Sequence, residues 1–199
     1  MTEKKKFHHG NLRQELIEAG HAALNESGVD GISLRKLAQR AGVSQSAPYR
    51  HFKSKEALLQ ELIDGGLDEL NTAYETAANL TASPSEKLKV ACNDYLDFAV
   101  NRSGLFQLIF ESDGSFSATS VKSSDDAPSF ILFVKMVADV TPAVPKGKEL
   151  DAATLCWSII HGFASLYSHD EIPEKVNDVW LRNSVIEAAI KSVSEHEWV

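Results

Sequence analysis

The stretch from Ile32 to Leu59 constrains this chain most, because two short amphipathic segments there flank a single glycine. Leu34, Leu37, Ala38 and Ala41 fall at i, i+3, i+4 and i+7 behind Ser33, a residue suited to capping. Arg35, Lys36 and Arg40 are left on the other face. Gly42 stops this helix, since glycine enters the left-handed region without steric cost. Ser44 can cap another short helix, so Ala41-Gly42-Val43-Ser44 forms the tight turn of a helix-turn-helix. Small side chains at Ala38 and Ala41 let the two helices cross closely, and Val43 plugs the gap. Ser54 then opens a further helix carrying Leu58, Leu59, Leu62 and Ile63.

The same 3.6-residue period runs through the rest of the chain, with no Val/Ile/Thr alternation and no Asn-Gly hairpin signal. The first helix is expected from Asn11, capped with Gln14, along a Leu12, Leu16, Ala19 and Ala23 face, and ends at Gly28. Gly65-Gly66 kinks or ends the fourth helix and marks a domain boundary. Ser83-Pro84-Ser85-Glu86 is a capping box with proline at the first helical position, launching a helix to about Arg102. Further helices are expected near Gly104–Glu111, from Pro128 to Val140, over Glu149–Tyr167 and over Glu174–Ser194, with a Ser/Asp/Gly-rich loop at 112–127. The expectation is an all-α chain of about nine helices. Residues 1–65 are expected to form a helix-turn-helix domain, and residues 66–199 a second helical domain.

The net charge of −8 speaks against nucleic acid only as an average. Residues 1–60 hold 10 Lys and Arg against 6 Asp and Glu, whereas the remainder is strongly acidic. That asymmetry suits an anion-binding module joined to an acidic one. No secretory signal and no apolar run of membrane-spanning length is present, so a cytoplasmic protein is expected. Cys92 and Cys156 sit in apolar helical patterns without partners at metal spacing and read as buried thiols. Neither a Ser/His/Asp or Cys/His arrangement nor HExxH nor a phosphate-cradling glycine loop occurs. An enzyme carrying a DNA-binding segment is therefore disfavoured, and no cofactor or metal is expected.

The run Ile32 to Ser44, followed by Tyr49-Arg50-His51-Phe52-Lys53-Ser54-Lys55-Glu56-Ala57-Leu58-Leu59, resembles the TetR family of transcriptional regulators. The resemblance implies a homodimer on double-stranded DNA, with repression relieved by a small molecule. It places Ser44, Gln45 and Ser46 at base edges, with Gln45 suited to adenine. Tyr49, His51 and Lys55 would face phosphates, and His51 has the alternative of a structural hydrogen bond. Ser33 and Arg35, at the start of the second helix, complete the set. Lys6, within Lys4-Lys5-Lys6, would form a salt-sensitive arm. Pro48 leaves two readings open: either the recognition helix starts at Ser44, or Ala47 caps it and Gln45 falls in the turn.

Trp157-x-x-x-His161-Gly162 and His8-His9-Gly10-Asn11-Leu12-Arg13 resemble a subtype of that family named for its Trp-His-Gly residues. Trp157 and His161 share a helix face. With Tyr95, Phe98, Phe106, Phe110, Phe133 and Met136 they are the candidate lining of an effector site, ordinary core packing being the alternative. The helix from Ala152 to Tyr167 is apolar nearly all round. The last helix carries one stripe of Val179, Ile186, Ile190 and Val193 and another of Leu181, Val185 and Ala189. Two stripes need two partners, so the final two helices are expected to pair with a second copy.

Overall fold

The computed structural model describes residues 12–110, 128–141, 144–168 and 179–198. Among the described residues are eight α-helices, one three-residue 3-10 helix and no strand. The all-α architecture is the one expected, with one α-helix fewer than the count from periodicity. The chain divides into two compact units, Met1–Gly65 and Gly66–Val199. Asn11, the 112–127 segment and Glu174 lie outside the described residues.

In the first unit α1 spans Leu12–Gly31 and buries Leu16, Gly20, Ala23 and Leu24. Gly28 breaks it with φ +62°, the left-handed geometry that a side chain would resist. One more turn follows, after which Ser33 takes an extended conformation before α2, Leu34–Arg40. The Ser33 hydroxyl makes no capping bond; its backbone carbonyl accepts from the Leu37 amide at 2.9 Å instead. At the other end Gly42, φ +65°, closes a Schellman turn. The Gly42 amide donates to the Gln39 carbonyl at 3.2 Å and the Val43 amide to that of Ala38 at 3.0 Å.

The third helix departs from a regular recognition helix beginning at Ser44. Residues 44–47 form a turn, and only Pro48–Arg50 is helical, as a 3-10 turn with Ala47 at its N-cap. The cause is Pro48: with no amide it cannot donate to the Ser44 carbonyl, which accepts from Ala47 at 2.9 Å instead. The reading in which Pro48 opens the helix and Gln45 belongs to the turn is the observed one.

Helix α3 begins at Lys55 and runs unbroken to Ala78. Ser54 caps it, its hydroxyl accepting from the Ala57 amide at 3.3 Å. Gly65-Gly66 neither ends nor kinks this helix, contrary to expectation. Gly66 is buried, and a Cβ there would lie 2.8 Å from Leu105 and 3.0 Å from Ile109. The glycine is therefore explained by close packing against α5, not by a need to turn the chain.

In the second unit α4 (Pro84–Asn101), α5 (Ser103–Phe110), α6 (Pro128–Val140), α7 (Glu149–Ser168) and α8 (Val179–Ser194) enclose one core. Both bonds of the Ser83–Glu86 capping box are formed. Helix α4 packs on α6, α7 and α8, and α7 on α6 and α8. Ile186, Ala189, Ile190 and Val193 of α8 are buried, whereas Leu181 and Val185 are half-buried and Val179 is exposed. The stripes thus divide differently from expectation, Ala189 joining the core and Val179 leaving it. No helix of the described residues is long and apolar enough to cross a membrane.

Candidate nucleic-acid interface and effector core

The first unit holds its polar segment from beneath. Leu34 and Leu37 of α2 and Pro48 and Phe52 beyond it are buried, so the stretch from α2 to the start of α3 is anchored at four apolar points. Arg35, Ser44, Gln45, Ser46 and His51 are exposed, and the Tyr49 ring is 48% exposed. Ser33 is half-buried. The Ser44 and Ser46 hydroxyls lie 3.3 Å apart, within hydrogen-bond reach, and flank Gln45. Lys6 lies outside the described residues. The Lys55 ammonium donates to the Val29 carbonyl at 2.6 Å. Arg40 pairs with Glu26 and is tied to α1.

Sequence reading missed the parts that fix this segment. Arg13 of α1 lies over the Phe52 ring, 5.6 Å from its centre, and pairs with Glu61 of α3 at 2.6 Å. Exposed Lys36, Arg50 and Lys53 add positive charge on the same unit. The only available signal was residue type, because the partners are far apart in sequence.

In the second unit five of the eight candidate effector residues come together. The Tyr95 hydroxyl and His161 Nδ1 are 2.8 Å apart. Around them Phe106 and Phe110 sit with ring centres 5.5 and 5.6 Å from His161, and the Trp157 ring lies 4.8 Å from it, tilted by 34°. Phe133 reaches this group through Phe130, which is 6.4 Å from Phe133 and 5.9 Å from Trp157. Phe130 was not among the candidates. Met136 is buried on α6. Phe98 is separated in role: it lines a cleft of about 350 Å³ with Leu70, Ala73, Glu69, Asp94 and Asp97. Burial and the neighbouring Asp97 carboxylate hold the Asp94 carboxyl above its ordinary range, against the opposing pull of Arg182.

Arg182 is the second tie that sequence did not show. From α8 it donates to the Asn93 side chain at 2.9 Å, the Asn93 carbonyl at 2.6 Å and Asp97 at 2.7 Å. Cys92 and Cys156 are both buried and free. Their mutual hydrogen bond and then burial push the Cys92 thiol up, which keeps it protonated and inert. No group of His, Cys, Asp or Glu among the described residues could hold a metal ion.

Two family descriptions match this chain: bacterial regulatory proteins of the tetR family over residues 16–62, and the tetracycline repressor-like C-terminal domain over residues 88–183. The transcriptional repressor KstR2 of Mycobacterium tuberculosis is 33% identical over 115 residues, which is 58% of this chain and 50% of KstR2. The chain thus spans about half the length of the curated relatives it matches. A protein of unknown function from Rhodococcus sp. RHA1 superposes with TM-score 0.72 at 27% identity, covering 96% of this chain and 98% of that one. The regulator FadR of Bacillus subtilis, solved in complex with stearoyl-CoA, gives TM-score 0.72 at 18% identity over 90% of this chain and 98% of its own. With both halves matched in order and the helix-turn-helix in place, the chain belongs to the TetR family of bacterial regulatory proteins, which are DNA-binding regulators and not enzymes.

Proposed function

We propose that the chain is a cytoplasmic, homodimeric transcriptional repressor, held on a palindromic operator by paired helix-turn-helix units and released by a small-molecule effector. One observation carries the DNA half: a short segment anchored by buried Pro48, Phe52, Leu34 and Leu37 leaves Arg35, Ser44, Gln45, Ser46, Tyr49 and His51 exposed together. In this reading Ser44, Gln45 and Ser46 address base edges, and Ser33 and Arg35 approach from the start of α2. Tyr49, His51 and Lys55 donate to phosphate oxygens, and Lys6 adds affinity without sequence preference. Exposed Leu150 and Leu166 and the open face at Gly162 on α7 support a second copy seated there, with α8 completing the surface. Two copies then present their segments roughly 34 Å apart, one turn of the duplex.

The effector half rests on the Tyr95–His161 pair set among Phe106, Phe110 and Trp157, which suits an apolar molecule with one polar group. FadR of the same fold was solved with stearoyl-CoA, which supports a ligand-holding second unit. The effector acts by favouring a conformation of low operator affinity; a coupling of about 3 kcal/mol weakens binding on the order of 100-fold. Gel-shift titration on duplexes selected from a random pool tests the roles. Gln45→Ala is expected to relax preference at one position per half-site, and Tyr49→Ala to weaken all duplexes alike. Equal loss of discrimination in the two variants would refute the assignment.

A further inference from the structure

We infer that Tyr74 anchors the effector, its hydroxyl donating to an uncharged oxygen acceptor, a carbonyl or ether, on a largely apolar ligand. This rests on the effector reading above and names the chemistry that the second unit selects.

Tyr74 lies in the part of α3 that belongs to the second unit and is 5% exposed. Its ring stacks on Phe133 with centres 6.0 Å apart. From Phe133 the rings continue through Phe130 and Trp157 to His161, whose centre lies 6.3 Å from that of Tyr95. Tyr95 is in turn among the groups that act electrostatically on Tyr74. A chain of rings thus links α3, α6, α7 and α4, and its two ends, Tyr74 and Tyr95, are themselves neighbours.

The hydroxyls at those two ends differ. That of Tyr95 is bonded to His161 Nδ1 at 2.8 Å. That of Tyr74 has no hydrogen-bond partner among the described residues. A buried hydroxyl left unpaired is costly, and phenylalanine would fill the same space without that cost. The group is therefore explained by a ligand that takes up its bond.

Burial, ahead of the nearby Tyr95, Cys92, Asp94 and Cys156, pushes the Tyr74 phenol well above its ordinary 10.0, so it meets a ligand as a neutral donor. The same surroundings select against an anion: Asp94 acts on the phenol, and the Arg182 guanidinium is engaged by Asn93 and Asp97. An ammonium group has no lone pair with which to accept the bond. An uncharged carbonyl or ether oxygen satisfies the hydroxyl, and the rings cover the apolar remainder.

Three ligands of one shape separate the possibilities: the ketone 4-phenylbutan-2-one, the hydrocarbon isopentylbenzene and the carboxylate 3-phenylpropanoate. Each is titrated by calorimetry into the unaltered protein and Tyr74→Phe near neutral pH, and both proteins are unfolded in urea without ligand. Tyr74→Phe is expected to keep the unfolding midpoint or raise it, because the lost hydroxyl made no bond within the protein. It should bind the ketone about tenfold more weakly and the hydrocarbon as before. The unaltered protein should bind the carboxylate more weakly than the ketone. A lower midpoint in Tyr74→Phe would show the hydroxyl bonded within the fold and overturn the anchor. So would an equal change for ketone and hydrocarbon, or tighter binding of the carboxylate. Saturable hydrocarbon binding that Tyr74→Phe leaves intact preserves the effector core even where the anchor fails; if none of the three ligands binds, the core reading and the anchor fall together.

Discussion

The neighbouring glycines in the middle of α3 should respond differently to the same substitution, only the first gaining stability. Gly65 is exposed, has ordinary helical φ, and a Cβ added there meets nothing within 4 Å. Gly65→Ala removes only the backbone entropy that glycine loses on folding, and should stabilise by about 0.4–1 kcal/mol. Gly66→Ala gains the same amount, but its Cβ would lie 2.8 Å from Leu105 Cδ2, 3.0 Å from Ile109 Cδ1 and 3.3 Å from Leu105 Cγ. Overpacking of this kind costs about 1–3 kcal/mol, so Gly66→Ala should come out neutral to about 2 kcal/mol destabilising. Urea unfolding followed by far-UV circular dichroism reads both, with the slope against denaturant as the check that the folded state is unaltered. Stabilisation of similar size at both positions would refute the close packing of α3 on α5 and return the pair to the role of a simple flexible joint.

Three further substitutions address the turn, the capping box and the exposed face. Gly42→Ala forces a side chain into φ +65° and should cost about 1–2 kcal/mol in thermal or urea unfolding while weakening duplex binding. Ser83→Ala removes the hydroxyl bond that, ahead of the bond from the position-83 backbone amide, holds the Glu86 carboxyl below its ordinary 4.5. A depressed carboxylate contributes stability above that value and loses it as pH falls. The variant should therefore be the less stable near neutrality, and the gap should narrow in acid without closing, because the cap bond from the Glu86 amide is lost at every pH. Leu166→Glu places a charge on a position 47% exposed in the single chain. Sedimentation should show monomer in place of dimer, and a persistent dimer would remove α7 from the interface.

Local signals in the sequence were enough wherever the partners lie within a few residues. Ser83 and Glu86 form both bonds of their box, Gly42 closes α2, and Leu34, Leu37 and Ala38 are buried as their spacing demands. The failures are the positions at which distant packing decides. Gly66 is a helix breaker by propensity, but the covering side chains come from α5, far along the chain. Pro48 left two readings that only the observed Ala47 cap separates. The Trp157–His161 motif and apolar residue type selected eight effector candidates, without distinguishing Phe98, which faces an acidic cleft, from Phe110, which joins the rings around His161. Arg182 could not be found at all, because Asn93 and Asp97 are 89 and 85 positions away.

The DNA-facing stretch has little regular secondary structure, so its geometry depends on residues that do not themselves face the groove, and Arg13 measures how strongly. Its pair with Glu61 joins side chains 51% and 35% exposed, so screening leaves it about 0–1 kcal/mol. Its approach to the Phe52 ring adds about 0.5–1 kcal/mol at an exposed site. Arg13→Ala should therefore lower stability by only about 1 kcal/mol. The same change frees Phe52, three residues from Tyr49, and should weaken duplex binding by more than its effect on folding accounts for. Glu61→Ala removes the ion pair and leaves the ring contact, so it should cost less on both measures. If the two variants bind as well as the unaltered protein under conditions where both are folded, the segment is fixed by its buried Phe52, Leu34 and Leu37 alone, and the surface ties are incidental.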